Sequence, residues 1–504
     1  MTGKTQVLIV GGGPCGLAAA CTLLRMGVGV RVLEAAAEPS TGSRAILLWP
    51  PTLESLRAVG VLDQVEELGF RCKAINYHLP EGPIIRVVLD KVNQPLILQQ
   101  DRTNRLLEQE LERLGGRVER SMRVTDIGTA AEDRVTAEVK GPDGTELIEA
   151  EWLIGADGVG STVRERLGVE FPGTYIPSTS LLTEGRVHGG GLDRGEMHYL
   201  YSAGSSLVFV PLPGGAVRLS SRIEADTPLT PETVQRLLDA HDLGLSMSDL
   251  EAVTSFTSQE RIAARYRKGR VFLVGDAAHT HLPLGGQGLN LGLQDVRNLV
   301  WKLAGVVQGR LDEAVLDTYD IERRHVAEET LKLTAQLGAR FMKCTGTGAG
   351  NLLASATSRA RNAWWAALQR SGVLRRFYAP VLAGWRVSYP DALFGRPAAP
   401  ERSRRELRPR RLPGPGARTP HWVAEPGRDE AAARFRLLTT GGELASHAAE
   451  VAARRPDLVV HERVSLPRRG PGFLLLRPDG FVAASGQEAG DMAHAERLLG
   501  RLAA

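Results

Sequence analysis

QVLIVGGGPCGLAAACTLLRMGVGVRVLE, Gln6–Glu34, decides the fold. Gln6–Val10 is a short run of branched apolar residues and predicts a buried strand. Gly11-Gly12-Gly13-Pro14-Cys15-Gly16 breaks that run, and Leu17–Met26 reads as a helix. A second strand, Val28–Leu33, ends at Glu34. This is G-x-G-x-x-G in the context it requires: strand before, helix after, acidic residue about 20 positions on. Gly11 suits the tight turn, Gly13 lets a pyrophosphate approach the backbone, and Gly16 allows close helix–strand packing. Glu34 is placed to accept from a ribose hydroxyl. The helix start adds about half a unit of positive charge. A bound adenine dinucleotide is the expectation, and Glu34 weighs against an accidental Gly-rich turn.

Two later stretches repeat the theme of a buried strand ending in an acid beside glycine. Trp152-Leu153-Ile154-Gly155-Ala156-Asp157-Gly158 leads into a short helix at Ser161–Arg164. Gly269–Asp295 (GRVFLVGDAAHTHLPLGGQGLNLGLQD) holds a strand, Arg270–Val274, and breaks at Gly275-Asp276. It passes through Pro283-Leu284-Gly285-Gly286-Gln287-Gly288 into a helix over Leu289–Leu303. Ligands of α/β sheets bind at strand carboxyl ends, which is where Asp157 and Asp276 fall. The glycines before the second helix leave bare N–H groups for a flat or anionic ligand. The two acidic strand ends are expected to meet in one sheet.

Between them, from Phe171 to about Ser258, short β-like runs alternate with Gly/Pro turns, interrupted by a helix at Pro231–Ala240. This reads as an inserted antiparallel sheet. The expected organisation is α/β: a Rossmann-like, discontinuous nucleotide domain (1–170 and 259–300) and a substrate sheet (171–258 with about 73–99). A helical part (301–395), a Pro/Gly/Arg-rich linker (401–419) and a small α/β domain (420–504) follow. At 504 residues there is room for two or three cores. Net charge is +4 and the basic residues are scattered, so no nucleic-acid footprint is expected. No apolar run reaches the ~18–20 residues of a membrane span. The four cysteines have no metal or disulfide spacing, so a reducing cytoplasm is expected and no metal. Abundant Arg, Ala and Gly suggest a GC-rich bacterial source.

These three motifs together resemble the single-component FAD-dependent aromatic hydroxylases of the para-hydroxybenzoate and phenol hydroxylase type, over roughly residues 5–390. The resemblance implies non-covalent FAD. Its ADP half would lie on Gly11, Gly13, Pro14, Cys15, Gly16 and Glu34. Asp157 would lie between flavin and nicotinamide, and Asp276 would hold the ribitol. Pro283, Gly286, Gly288, Leu289 and Asn290 would lie along the isoalloxazine, with Pro283 and Gly286 lining the place of oxygen chemistry. Arg44 looks like the family's pyrophosphate arginine, its fork suited to phosphate. Gln100 and Arg102, in Gln100-Asp101-Arg102-Thr103, are similar to a string that touches FAD, although Asn104 stands where Glu is common. The tail, through Leu476-Arg477-Pro478-Asp479-Gly480, resembles the thioredoxin-like domain of phenol and polyketide hydroxylases. No cysteine follows Cys344, so it lacks dithiol chemistry and is expected to be structural or a homodimer contact.

The implied activity is hydroxylation of an aromatic, polyketide-like natural product of antibiotic biosynthesis. NADPH or NADH would reduce the flavin, and O2 would form a C4a-hydroperoxide. No second strand–GxGxxG–helix unit is present, so the nicotinamide would visit a groove. Baeyer–Villiger oxygenation by the same peroxide, and a flavin-binding interaction protein without catalysis, are the alternatives. None of the seven Trp forms the W-x-W of related halogenases. The group that activates the substrate is not identified by sequence; Tyr77, His78, Tyr199, Tyr201 and His281 are candidates.

Overall fold

The computed structural model describes residues 3–39, 45–78, 84–129, 131–202, 205–281, 284–345, 363–390, 393, 412–419, 423, 434–464 and 472–504. Arg44 and Pro283 lie outside the described residues, as do 401–411 of the expected linker.

The first strand, Gly3–Val10, is flanked by two parallel neighbours, Val30–Glu34 and Gly144–Gly155. Val271–Leu273 adds a further parallel strand beyond Gly144–Gly155, and Val118–Arg120 closes the other side. Val7, Leu8 and Ile9 are all buried, which explains the unbroken apolar run: both faces of a parallel strand are covered. One cover is the helix Pro14–Arg25, with proline at its start and Ala18, Ala19 and Ala20 buried. Small side chains let it approach the sheet. The helix Gln287–Val307 packs against it. The α/β, Rossmann-like class expected from sequence is the one observed.

A nine-stranded sheet, mostly antiparallel, is the second layer. It runs from His279–Thr280 through Thr254–Ile262, Gly173–His188, Val217–Ile223 and Ser205–Pro211 to Met197–Ser202. There Ala74–His78 joins it in parallel. The chain thus leaves the parallel sheet after Gly155, builds this sheet, and returns through Val271–Leu273. His279–Thr280, four residues after Gly275, already belongs to the second sheet.

The tail carries a four-stranded sheet in the order Val459–Arg463, Phe435–Thr439, Phe473–Leu476, Val482–Gly486. With helices Glu443–Arg454 and Ala489–Leu502 it has a thioredoxin-like arrangement. It is docked on the helix Gln287–Val307 and on Asp317–Thr345. Arg477 pairs with Glu322, Lys302 pairs with Glu322, and Asn298 donates to Asp479. Residues 412–419, inside the stretch read as a linker, also pack: Arg418 is buried, pairs with Glu54 and bridges to Phe481.

Candidate cofactor and substrate site

Register alone brings the separated motifs together. Val10 lies opposite Leu33 on one side and Gly155 on the other, and Gly155 lies opposite Leu273. Four strand ends therefore stand level in one row. The ladder continues one step past them through Gly11 N–H to Leu33 O (2.8 Å), Ala156 N–H to Val10 O (2.7 Å) and Val274 N–H to Gly155 O (3.0 Å). Gly11, Glu34, Asp157 and Asp276 are thus delivered to a single edge.

Glycine is required there for measurable reasons. Gly11 has φ +113°, and a Cβ on it would lie 2.3 Å from Ala156 O. A Cβ on Gly16 would lie 2.0 Å from Gly11 O, so the helix can start this close only with glycine. Gly13 differs: a Cβ there would meet nothing within 4 Å, and the same holds for Gly288. Gly13 and Gly288 stand at the starts of the helices Pro14–Arg25 and Gln287–Val307, and both leave open space. Cys15, by contrast, is packed against Gly275 and Gly292, where added Cβ atoms would lie 2.8 and 2.6 Å from its Sγ. Burial pushes its thiol well above the ordinary range, so it is a spacer and not a nucleophile.

The carboxylates of the edge are partly committed. Glu34 accepts from Gly12 N–H and from Ala36 N–H, both at 2.8 Å. Each oxygen retains a lone pair for a further donor. Asp157 accepts from Ser161 Oγ at 2.5 Å and from Val163 N–H at 3.0 Å, fixing the short helix after it. Burial raises its pKa. Asp276 is exposed just past its strand. Gln100 ties the chain after residue 44 to the start of the helix Gln100–Arg113: its side chain accepts from Ala45 N–H at 3.1 Å and its own N–H donates to Ala45 O. Arg102 is half-buried in the first turn of Gln100–Arg113.

Gly285 and Gly286 both have positive φ, 71° and 63°, and turn the chain into the helix Gln287–Val307. Leu289 is half-buried one turn in. The Asn290 side chain works inside the protein: Oδ1 accepts from Trp49 N–H (2.8 Å), and Nδ2 donates to Leu47 O (2.8 Å) and Gly286 O (2.6 Å). Trp49 Nε1 donates to Gly285 O. The segment Leu47–Trp49 is thereby stitched to the glycine turn.

Leu47 and Trp49 belong to an apolar cluster with Ile75, Tyr77, Met197, Leu374 and Leu382. Tyr199, Tyr201 and Tyr378 border it. Tyr77 stacks on Tyr199, and its OH is 3.3 Å from that of Tyr378. Burial pushes Tyr77 and Tyr199 upward, so both stay protonated at neutral pH. His78 is 3.0 Å from His198, which in turn is 2.7 Å from Asp193 O. Burial, then His198, holds His78 down at about 4. The tyrosines named from sequence are therefore brought together, facing the segment that borders the glycine turn.

Sequence reasoning missed the groups that hold the turns. Arg164 donates to Ala277 O (2.9 Å) and Val159 O (2.8 Å), clamping one strand-end turn to the other. Asp295, fully buried, accepts from Gly275 N–H and pairs with His279 (2.6 Å) and Arg323 (2.7 Å). Burial alone would raise its pKa; His279 and Arg323 outweigh it and hold it down. The available signal was a carboxylate amid Leu291, Leu293, Val296 and Leu299, where a solvated face was not possible.

A long, flat dinucleotide fits these residues. One helix start with open space at Gly13 suits its pyrophosphate, Glu34 its ribose, and the second helix start at Gly286–Gly288 its ring. Among the described residues no group of His, Cys, Asp and Glu could hold a metal ion, and no helix is long and apolar enough to cross a membrane.

Comparison with known proteins agrees with this geometry. A family model described as FAD binding domain matches residues 4–334. A 6-methylpretetramide 4-monooxygenase from Streptomyces rimosus is 32% identical over 98% of this chain and 93% of its own. The solved anhydrotetracycline hydroxylase OxyS from the same organism superposes with a TM-score of 0.75 at 29% identity, over 99% of this chain and 100% of that one. A ternary complex of aklavinone-11 hydroxylase with FAD and aklavinone gives a TM-score of 0.75 at 25% identity, over 99% of both chains.

Proposed function

Because the chain belongs to the FAD-binding family of flavoprotein aromatic monooxygenases, we propose that it hydroxylates a multi-ring, polyketide-type phenol, using NADPH or NADH and O2. One observation carries this reading. The glycine turn at Gly285–Gly286 is hydrogen-bonded to Leu47–Trp49, and Leu47 and Trp49 also line the tyrosine-bordered apolar cluster. A flavin ring on the turn and an aromatic substrate in the cluster would then be neighbours. The 6-methylpretetramide, anhydrotetracycline and aklavinone in the names of similar proteins support a substrate of that kind.

In this reading residues 1–170 and 259–300 hold FAD, and 171–258 with about 73–99 hold the substrate. Gly11, Gly13, Pro14, Cys15, Gly16 and Glu34 form the ADP side, joined by Arg44, Gln100 and Arg102. Asp157 and Asp276 flank the middle of the cofactor. Pro283, Gly286, Gly288, Leu289 and Asn290 form the ring side, the last through its backbone. When bound, FAD would supply hydride acceptance and oxygen activation. The protein's own part is orientation and exclusion of water. The helix starts meet the anionic groups, Arg164 and Asp295 keep the two turns in place, and the tyrosines give the substrate an apolar wall with hydroxyl contacts.

The test is turnover with anhydrotetracycline as probe. FAD-loaded protein is expected to oxidise NADPH or NADH faster when the probe is present, with one oxygen gained by the product. Unaccelerated oxidation, or acceleration with all the oxygen released as peroxide, counts against the assignment. Asp276→Ala is expected to purify largely free of FAD. A fully yellow variant with normal turnover removes Asp276 from the site.

A further inference from the structure

His281 stands where the two sheets and the glycine turn meet. It directly follows the edge strand His279–Thr280 of the nine-stranded sheet, and three residues later the chain reaches Leu284–Gly286. Its ring is the outer member of a chain of four groups. Arg323 Nε is 2.7 Å from Asp295 Oδ1, Asp295 Oδ2 is 2.6 Å from His279 Nε2, and His279 Nδ1 is 3.0 Å from His281 Nε2.

The partners fix the protons. Arg323 already neutralises Asp295, so a neutral His279 carries its one proton on Nε2, facing the carboxylate, and presents a lone pair at Nδ1. His281 must then donate from Nε2, which leaves its Nδ1 as a lone pair. That atom is buried and has no hydrogen-bond partner among the described residues. Burial, then His279, holds His281 at about 3, so the ring stays neutral at physiological pH and the lone pair stays available. Four linked groups, running back to a buried Arg, are spent on orienting one acceptor. An unsatisfied buried acceptor costs about 1–3 kcal/mol, which a matching donor would recover.

We propose that His281 Nδ1 is the hydrogen-bond acceptor for a hydroxyl of the aromatic substrate, and that His279 and Asp295 are its positioning residues. This rests on the monooxygenase reading above and adds a specificity rule to it. The site takes a ring bearing a free O–H at that position and rejects the corresponding ether, because the ether would leave the acceptor buried and unpaired. His281 does not need to remove the proton. It orients the ring through a donor the substrate must bring.

Binding of β-naphthol and of its methyl ether to the FAD-loaded protein, read from the flavin absorbance change, tests this without turnover. Wild type is expected to bind the naphthol ~10-fold more tightly, which corresponds to about 1.4 kcal/mol. His281→Leu is expected to bring the two affinities within about twofold at unchanged FAD content, since a lost neutral hydrogen bond is worth about that much. His281→Asn, which retains an acceptor oxygen, is expected to recover part of the preference. Wild type without a preference for the naphthol, through equal binding or none, overturns the inference. So does loss of FAD from both variants, which would assign Nδ1 to the cofactor. Stimulated turnover with anhydrotetracycline in the same wild-type preparation shows that such a failure belongs to His281 and not to the monooxygenase reading.

Discussion

The carboxyl edge of the parallel sheet and the docking face of the tail solve opposite problems. At the edge, Gly13 and Gly288 leave open space, and Glu34 and Asp157 are partly spent on neighbouring donors. At the tail, Lys302, Glu322, Arg477 and Asp479 are sealed from water and paired with one another, with Asn298 filling a remaining acceptor. The edge is built with unused capacity. The charged groups of the tail face spend their bonds on one another. Saturation also makes it brittle: removing one partner strands the others, whereas the edge loses only what that one residue held.

The sharpest way to break this contrast is Glu322→Ala. It leaves Lys302 buried without an anion and Arg477 with Asp479 alone, and stability is expected to fall by about 3–5 kcal/mol in denaturant unfolding. A loss below about 1 kcal/mol would mean the cluster is not closed in solution. At the edge, Glu34→Ala is expected to weaken FAD by about 1.5–3 kcal/mol, the worth of a charge-assisted hydrogen bond, with little change in unfolding. An unchanged FAD dissociation constant would remove it from the ribose. Ser161→Ala removes the cap of a five-residue helix and is expected to cost about 1 kcal/mol, read from the unfolding midpoint.

Acid adds a finer test. Burial would raise Glu322, but Arg477 and Lys302 outweigh it and hold it at about 2, below its ordinary 4.5. A depressed carboxylate binds fewer protons in the folded state. Its stabilisation is therefore complete above the ordinary value and is lost as pH falls through that window towards 2. Burial lowers Lys302 to about 8 from 10.5, which gives a slope of the same sign in an alkaline window: the unfolded chain takes up its proton first as pH drops from 10.5, so stability declines until about 8. The wild-type pH dependence in the acid window is expected to flatten in Glu322→Gln. An identical slope would show that Glu322 titrates normally in the folded protein.

The parts of the fold that were legible are those coded locally. Gln6–Glu34 announces strand, turn, helix and strand through apolar runs and three spaced glycines, and Val7, Leu8 and Ile9 are buried accordingly. The strand ends at Asp157 and Gly275 were legible for the same reason, and their side-by-side placement followed from expecting ligands at strand ends. The groups that lock these turns were not. Arg164 reaches Ala277 across more than a hundred positions, and Asn290 reaches Leu47 across more than two hundred. Nothing in residue type or spacing marks such pairs. Arg418 is a pair of the same kind. It lies in the Pro/Gly/Arg-rich stretch read as a linker and is buried against Glu54, far off in sequence.

The level row of strand ends also sets an order of events. Gly3–Val10 gains its first parallel neighbour within 35 residues and its second near residue 150, and Val271–Leu273 joins that second neighbour only later. A chain emerging from the ribosome would therefore carry a half-built cleft for most of its synthesis. The ring-side turn follows later still, at Gly285–Gly286. Such non-local pairing is slow and leaves apolar strand edges exposed while it waits. On the proposed site, full capture of the dinucleotide would wait until about residue 290 is available, and binding would then favour the closed arrangement by mass action. Cofactor supply during expression is thus expected to govern the yield of this protein as much as its activity.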